Sequence, residues 1–245
     1  MKADPAVQRR LLDLAEIDAE LTRLAHRRRT LPEHAQLTEA AAAVQAGKDR
    51  LVAAETAAGD LDRDIHRIEH DVEGVRARIR RDEQLLAGTG VGAKQAADLQ
   101  HELQTLARRQ AVLEDEQLEV MERREALGVD LEHSRGVLAE AEQTMSEIAE
   151  RRDAALADLD AATAGRGRER SAMLGEIPGE VLAVYERRRE HGNAGAAALR
   201  ERRCGACRLE LDRTFLSQLR AAPADELVHC EECGTILVRT TESGL

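Results

Sequence analysis

The chain has 245 residues, and aromatics are only 1% of it, with Tyr185, Phe215 and no Trp, while charged residues reach 34%. Most of the apolar fraction is Ala, Leu and Val, which excludes a thick layered α/β core and fits long helices or coiled coil. The formal charge of -11 disfavours whole-surface binding to nucleic acid or anionic membrane, because the summed field repels phosphate; a local basic patch is still compatible with it.

The first element in chain order is a helix whose Leu14, Ile17, Leu21 and Leu24 share one face through three-four spacing. Leu31-Pro32 then ends or kinks it, because proline lacks an N–H and restricts the residue before it. The seam resumes at Leu37, Ala40, Val44, Gly47, Leu51, Ala54, Ala58, Leu61, Ile65, Ile68, Val72, Val75 and Ile79. Alternation of this length is a coiled-coil signal. Gly88-Thr89-Gly90-Val91-Gly92 breaks the helix and forms a hairpin tip over about 87–93. A return arm carries Leu99, Leu103, Leu106, Leu113, Val120, Leu127, Leu131, Leu138, Met145, Ile148 and Leu159 at the same spacing. Folding at the glycines places Ile79 near Leu103 and Val44 near Leu138, and about 65 residues per arm predict a rod of roughly 100 Å.

Gly165-Arg166-Gly167 is expected to close the return arm. Ile177-Pro178-Gly179 opens a shorter helix through about Glu190, ended by His191-Gly192-Asn193. A second short helical stretch is expected over Ala194 to Arg202. The fold class is therefore mainly α: an antiparallel coiled-coil hairpin over 1–172, a short helical connector over 173–202, and a small zinc ribbon with short β-strands over 203–245.

All four cysteines fall in this last segment, as Cys204-Gly205-Ala206-Cys207 and Cys230-Glu231-Glu232-Cys233. Two CxxC knuckles supply the four thiolates of a tetrahedral site, the geometry of structural Zn²⁺, and leave no open position for a catalytic water. One structural zinc ion is the expected cofactor, with Cys204, Cys207, Cys230 and Cys233 as ligands. A thioredoxin-like redox pair would need a βαβ context that is absent from the pattern. His229 stands beside a full ligand set and is read as a bystander. Leu209 with Leu211, and Ile236 with Val238, alternate as strands do.

Gly88 to Lys94 looks faintly like a phosphate loop, but Ala93 and Gln95 stand where glycine and Ser/Thr are needed and no strand precedes it. No catalytic residues are assigned, and no small-molecule substrate is expected. Arginines gather toward the ribbon end: Arg27 to Arg29; Arg166, Arg168 and Arg170; Arg187 to Arg189; Arg200, Arg202 and Arg203; Arg208 and Arg213. They read either as a local positive patch, with Arg200, Arg202, Arg203 and Arg208 as nucleic-acid contacts, or as solvated faces paired with glutamates such as Glu186, Glu190 and Glu201. The missing aromatic stackers weaken sequence-specific RNA reading. No apolar run approaches the roughly 20 residues that span a bilayer, and the charged start offers no signal peptide, so a cytoplasmic location is expected.

Three stretches together, Ile177-Pro178-Gly179-Glu180-Val181-Leu182, Arg203-Cys204-Gly205-Ala206-Cys207, and Cys230-Glu231-Glu232-Cys233-Gly234-Thr235-Ile236-Leu237-Val238, resemble the bacterial family of coiled-coil proteins with a C-terminal C4-type zinc ribbon. The resemblance implies non-enzymatic adaptor or chaperone-like work, the helical arms engaging a protein partner and the ribbon engaging protein or nucleic acid. Thr235 stands where arginine is frequent in that family, which implies one charge fewer on a nucleic-acid surface. The alternative is a transcription regulator whose hairpin inserts into an RNA polymerase channel; the tip here is glycine-rich, with Asp82, Glu83 and Asp98 set back from it. A third reading is a self-associating rod, a homodimer through a second seam.

Overall fold

The computed structural model describes residues 1–190 and 192–245. Its elements are α1 (Pro5–Arg29), α2 (Pro32–Leu86), α3 (Ala93–Leu174), α4 (Gly179–Glu190), β1 (Ala196–Arg200), β2 (Arg203–Cys204), α5 (Arg213–Ala221), β3 (Val228–His229) and β4 (Ile236–Val238). Two compact units divide the chain, one of Ala35–Glu150 and one of Met1–His34 with Arg151–Leu245. No helix of the described residues is long and apolar enough to cross a membrane.

In the Ala35–Glu150 unit, α2 and α3 run antiparallel. Both are rich in Ala, Leu, Glu and Arg, which form helix readily, and burial supplies the rest. Val44, Gly47, Ala58, Ile68 and Val72 of α2 are buried, as are Leu113, Leu131 and Ile148 of α3. Ile68, Val72 and Leu113 form a cluster flanked by Val75 and Val120. Leu138 packs on Gly47, where an added Cβ would stand 3.1 Å from Leu138 Cδ1. Arg76–Glu114 at 2.7 Å, Arg124–Asp62 at 2.8 Å and Lys48–Glu142 at 3.6 Å keep the same antiparallel register along the seam. Between the arms, Gly90 takes φ +104, a left-handed conformation that glycine adopts without steric cost.

In the other unit, Asp4 caps α1 by accepting from the Ala6 N–H at 2.7 Å, and Thr30 ends it by donating to the His26 and Arg27 carbonyls. Pro32 begins α2, where a missing N–H costs nothing. The proline therefore separates two helices. The buried face of α1 lies one turn earlier than the spacing predicts, at Leu11, Leu14 and Ile17, because α1 packs on the ribbon's sheet: Leu11 and Leu14 share a core with Val181 and Tyr185 of α4 and with Ala196, Ile236 and Val238.

The helical stop expected at Gly165-Arg166-Gly167 does not occur; α3 continues to Leu174. Two glycines cost about 1 kcal/mol each in a helix. Met173 and Leu174 packing against the core, and Arg166 and Arg170 pairing with Glu169 and Asp18, offset that.

Helix α4 follows Pro178, whose carbonyl accepts from Val181 and Leu182. Of the expected stop His191-Gly192-Asn193, His191 lies outside the described residues, and Gly192 has φ +79. The helix expected over Ala194 to Arg202 is instead β1. Alanine favours helix locally, but β1 lies between two partners, antiparallel to β2 and parallel to β4, and this tertiary pairing overrides propensity. The connector is thus helical only in its first part. Gly195, just before β1, lies against the Tyr185 ring with no room for a Cβ.

The sheet runs β2-β1-β4-β3. Along β4, Ile236 and Val238 face α1 and α4, while Leu237 faces Leu199, Phe215 and Leu219 on the other side, the period of two that a strand imposes. The Leu209–Leu211 strand is reduced to an isolated Arg203–Glu210 bridge, with Leu211 buried and Leu209 50% exposed. Helix α5 lies between the two cysteine pairs, where the sequence reading places no helix. Its signal is Asp212, which caps Thr214 N–H at 2.7 Å, before Phe215, Leu216 and Leu219 at helical spacing.

Candidate metal centre and its arginine surface

Each cysteine pair is held by the same backbone pattern. In the first knuckle, Cys204 N–H donates to the Leu209 carbonyl at 3.0 Å and Arg208 N–H to the Cys204 carbonyl at 2.8 Å. In the second, Cys230 N–H donates to the Thr235 carbonyl and Gly234 N–H to the Cys230 carbonyl, both at 2.9 Å. The turns bring the four thiols together: Cys204 and Cys233 Sγ are 3.8 Å apart, Cys207 and Cys230 Sγ 3.9 Å, and all four lie within 4.8 Å of one another. A disulfide needs about 2.05 Å. A tetrahedron of sulfurs at about 2.3 Å from zinc has edges of about 3.8 Å, so the cluster fits one structural zinc ion with a complete ligand set. When bound, the ion cross-links the two knuckles.

Burial pushes the Cys204 thiol up to about 12 and raises Cys230 as well. Burial also acts upward on Cys233, but the hydroxyl and N–H of Thr235 and the neighbouring thiols outweigh it and bring Cys233 down to about 7. Thr235 is fully buried, its hydroxyl 3.3 Å from Cys233 Sγ and donating to the Ala194 carbonyl at 2.9 Å. Thr235 is therefore buried in this chain and presents no charge at the surface. His229 is outside the thiol cluster, with Nδ1 3.3 Å from the Gly234 carbonyl.

The arginine groups separate by environment. Arg28 pairs with Asp160, Arg166 with Glu20 and Glu169, and Arg170 and Arg189 with Asp18 and Glu186. Of these, Arg170 and Arg189 serve the helical core through the buried Asp18, whereas the Arg28 and Arg166 pairs face solvent. Around the first knuckle, Arg200, Arg202, Arg203 and Arg208 are exposed. Arg200–Glu242 at 3.4 Å and Arg203–Glu210 at 3.7 Å are solvent-facing pairs, worth at most about 1 kcal/mol. Arg208 has no carboxylate partner among the described residues. It sits at φ 62, matching Gly234 at φ 73 in the sister knuckle. Sequence reasoning missed the buried Asp18; its signal is an acid placed among Leu14, Ile17 and Leu21 on the apolar face of α1.

The model of the CT398-like coiled coil hairpin domain matches residues 14–193, and that of the C4-type zinc ribbon domain matches residues 203–237. The chain belongs to the CT398-like coiled-coil hairpin family. Uncharacterized protein Rv2229c of Mycobacterium tuberculosis is 45% identical, covering 98% of each chain. A solved structure from Mycobacterium smegmatis is 43% identical over 98% of this chain and 100% of that one, with a TM-score of 0.89. CT398 from Chlamydia trachomatis, at 19% identity and a TM-score of 0.69 over 96% of this chain and 98% of its own, shares the CT398-like fold.

Proposed function

We propose that this CT398-like chain is a non-enzymatic, zinc-binding adaptor. The zinc held by Cys204, Cys207, Cys230 and Cys233 is structural, the coiled coil docks a protein partner, and the ribbon contacts protein or nucleic acid through Arg200, Arg202, Arg203 and Arg208. The observation that carries the reading is the thiol cluster: four sulfurs at tetrahedral spacing complete the coordination of one ion and leave it no open position, so its contribution is to hold the surface around it in place.

The test is binding by the zinc-loaded full chain to a mixed RNA and DNA pool and to cell-extract proteins at two salt concentrations, beside an R200A/R202A/R203A variant. Salt-sensitive binding that the variant loses assigns the contact to the ribbon, because neutralised phosphates release counterions. Salt-tolerant protein capture that the variant retains assigns it to the hairpin seam. Binding that is indifferent to removal of zinc and to the arginines overturns the ribbon's part in the reading.

A further inference from the structure

We propose that the groove between α1 and the first cysteine knuckle is a docking site for an acidic, small-side-chain segment of a partner protein. The proposal rests on the adaptor reading and names the chemistry of its partner. The groove has a volume of about 720 Å³ and includes Ala19 of α1, Ala197 of β1 and Ala206 of the knuckle among its walls. Small side chains leave the backbone accessible and give width for an extended chain, whereas a helix with its side chains is about 10 Å across.

Charge selects the occupant. Arg200, Arg203 and Arg208 line the groove beside Glu16 and Glu201, and of the three arginines Arg208 is the one that no carboxylate among the described residues meets. The carboxylates that Arg200 and Arg203 meet are on exposed side chains at 3.4 and 3.7 Å, loose pairs that an incoming carboxylate can replace. Arg208 brings a guanidinium with no carboxylate partner among the described residues, on a left-handed backbone position that the second knuckle fills with Gly234. A side chain kept at such a position at a cost to folding is the kind of outlier that points to a contact.

A peptide fits better than a nucleic acid. Tyr185 is 0% and Phe215 8% exposed, and the chain has no Trp, so no aromatic face is offered to a base. The net charge of -11 opposes a polyphosphate more than a short segment carrying a few carboxylates.

The experiment is titration of the isotope-labelled, zinc-loaded full chain with a short peptide alternating Glu and Ala, the same peptide with Lys for Glu, and a short oligothymidylate, followed by amide NMR shifts. The Glu peptide is expected to shift Ala197, Gly205 and Ala206, and the Lys peptide to leave them in place. Arg208→Gly should weaken the Glu peptide by about tenfold, the scale of one charge-assisted hydrogen bond, and Ala19→Leu, on an exposed position, should weaken it by narrowing the groove. Shifts confined elsewhere, or wild-type affinity in both variants, overturn the site. Oligothymidylate displacing the peptide from the same amides at lower concentration overturns the choice of partner. Failure of the groove leaves zinc-dependent capture of larger partners intact, whereas failure of the adaptor reading abolishes that capture as well.

Discussion

The Tyr185 hydroxyl donates a 2.7 Å hydrogen bond to Asp18 Oδ2 inside a core where Tyr185 is 0% and Asp18 5% exposed. The second oxygen of Asp18 accepts from Arg170 Nε at 2.7 Å, and Arg189 Nε stands 3.3 Å from Oδ2. One carboxylate thus joins α1, α3 and α4. Tyr185→Phe removes one donor while Arg189 remains near, and should cost about 1–2 kcal/mol. Asp18→Ala leaves Arg170 without its inner partner, and breaking such a pair should cost roughly 3 kcal/mol. Urea denaturation of the zinc-loaded protein checks the order; an equal or smaller loss for Asp18→Ala would contradict it.

The same contact makes the fold sensitive to alkali. Burial first, then the hydrogen bond to Asp18, raise the Tyr185 phenol well above its usual value, against a smaller opposing effect of Arg189. Above about pH 10 the unfolded chain releases this proton while the folded chain holds it, so stability present below pH 10 is lost as pH rises. Tyr185 is the single tyrosine, so tyrosinate absorbance is a direct readout. It should appear together with loss of helical circular dichroism, and Tyr185→Phe should flatten the alkaline slope. Tyrosinate forming near pH 10 in protein of unchanged helicity would sink this account.

Arg208 and Gly234 occupy equivalent left-handed positions in the two knuckles. Arg208→Gly should therefore stabilise the zinc-loaded protein by about 1 kcal/mol, the cost of a Cβ in that region. Gly234→Ala should destabilise it by at least that much, since its Cβ would also stand 3.0 Å from a terminal nitrogen of Arg188. Thermal melts of the two variants should move in opposite directions; a lower melting temperature for Arg208→Gly would refute the strain argument.

Much of this architecture was legible in the chain because it rests on local periodicity. The seam positions from Leu37 to Ile79 and their partners on α3 are buried or half-buried, and two CxxC pairs announce a four-thiol cluster. What was not legible depends on distant partners. Ala196 to Leu199 read as helix until β4 and β2 lie beside them, and the glycines at 165 and 167 read as a stop until Asp18 and the core hold the following turns. The strained Arg208 could have been suspected from the sister motif alone, since Cys233-Gly234 has a glycine where Cys207-Arg208 does not.

Zinc removal should act unevenly. Cys204 and Cys230 share a core with Leu211, Phe215, Leu219 and Leu237, while Ile236 and Val238 are held by α1 and α4. A strong chelator should collapse the amide signals of Leu211, Phe215 and Leu219 and leave most helical circular dichroism, because α5 contributes only 9 residues. Structural zinc in small domains is worth on the order of 10 kcal/mol at neutral pH. Binding also requires thiolates, and burial holds Cys204 up to about 12, so apparent zinc affinity should rise with pH and fall toward acid as the thiols keep their protons. Competition with a chromophoric chelator between about pH 6 and 8 measures this, since ligand thiols must lose their protons to bind; a flat profile would exclude thiolate ligation.

Leu113 and Leu118 lie five positions apart on α3 and differ in what they touch. Leu113 is 2% exposed and packs with Ile68 and Val72, whereas Leu118 is 59% exposed. Leu113→Ala removes buried methyl groups and opens a cavity between two arms that have few large side chains to close it, and should cost roughly 3 kcal/mol. Leu118→Ala exchanges an exposed leucine for the best helix former and should change stability by less than about 0.5 kcal/mol. Chemical denaturation of both variants separates the paired seam from the solvent face. A comparable loss for Leu118→Ala would mean that this face is covered in solution, and its concentration dependence would then show whether a second copy of the chain covers it.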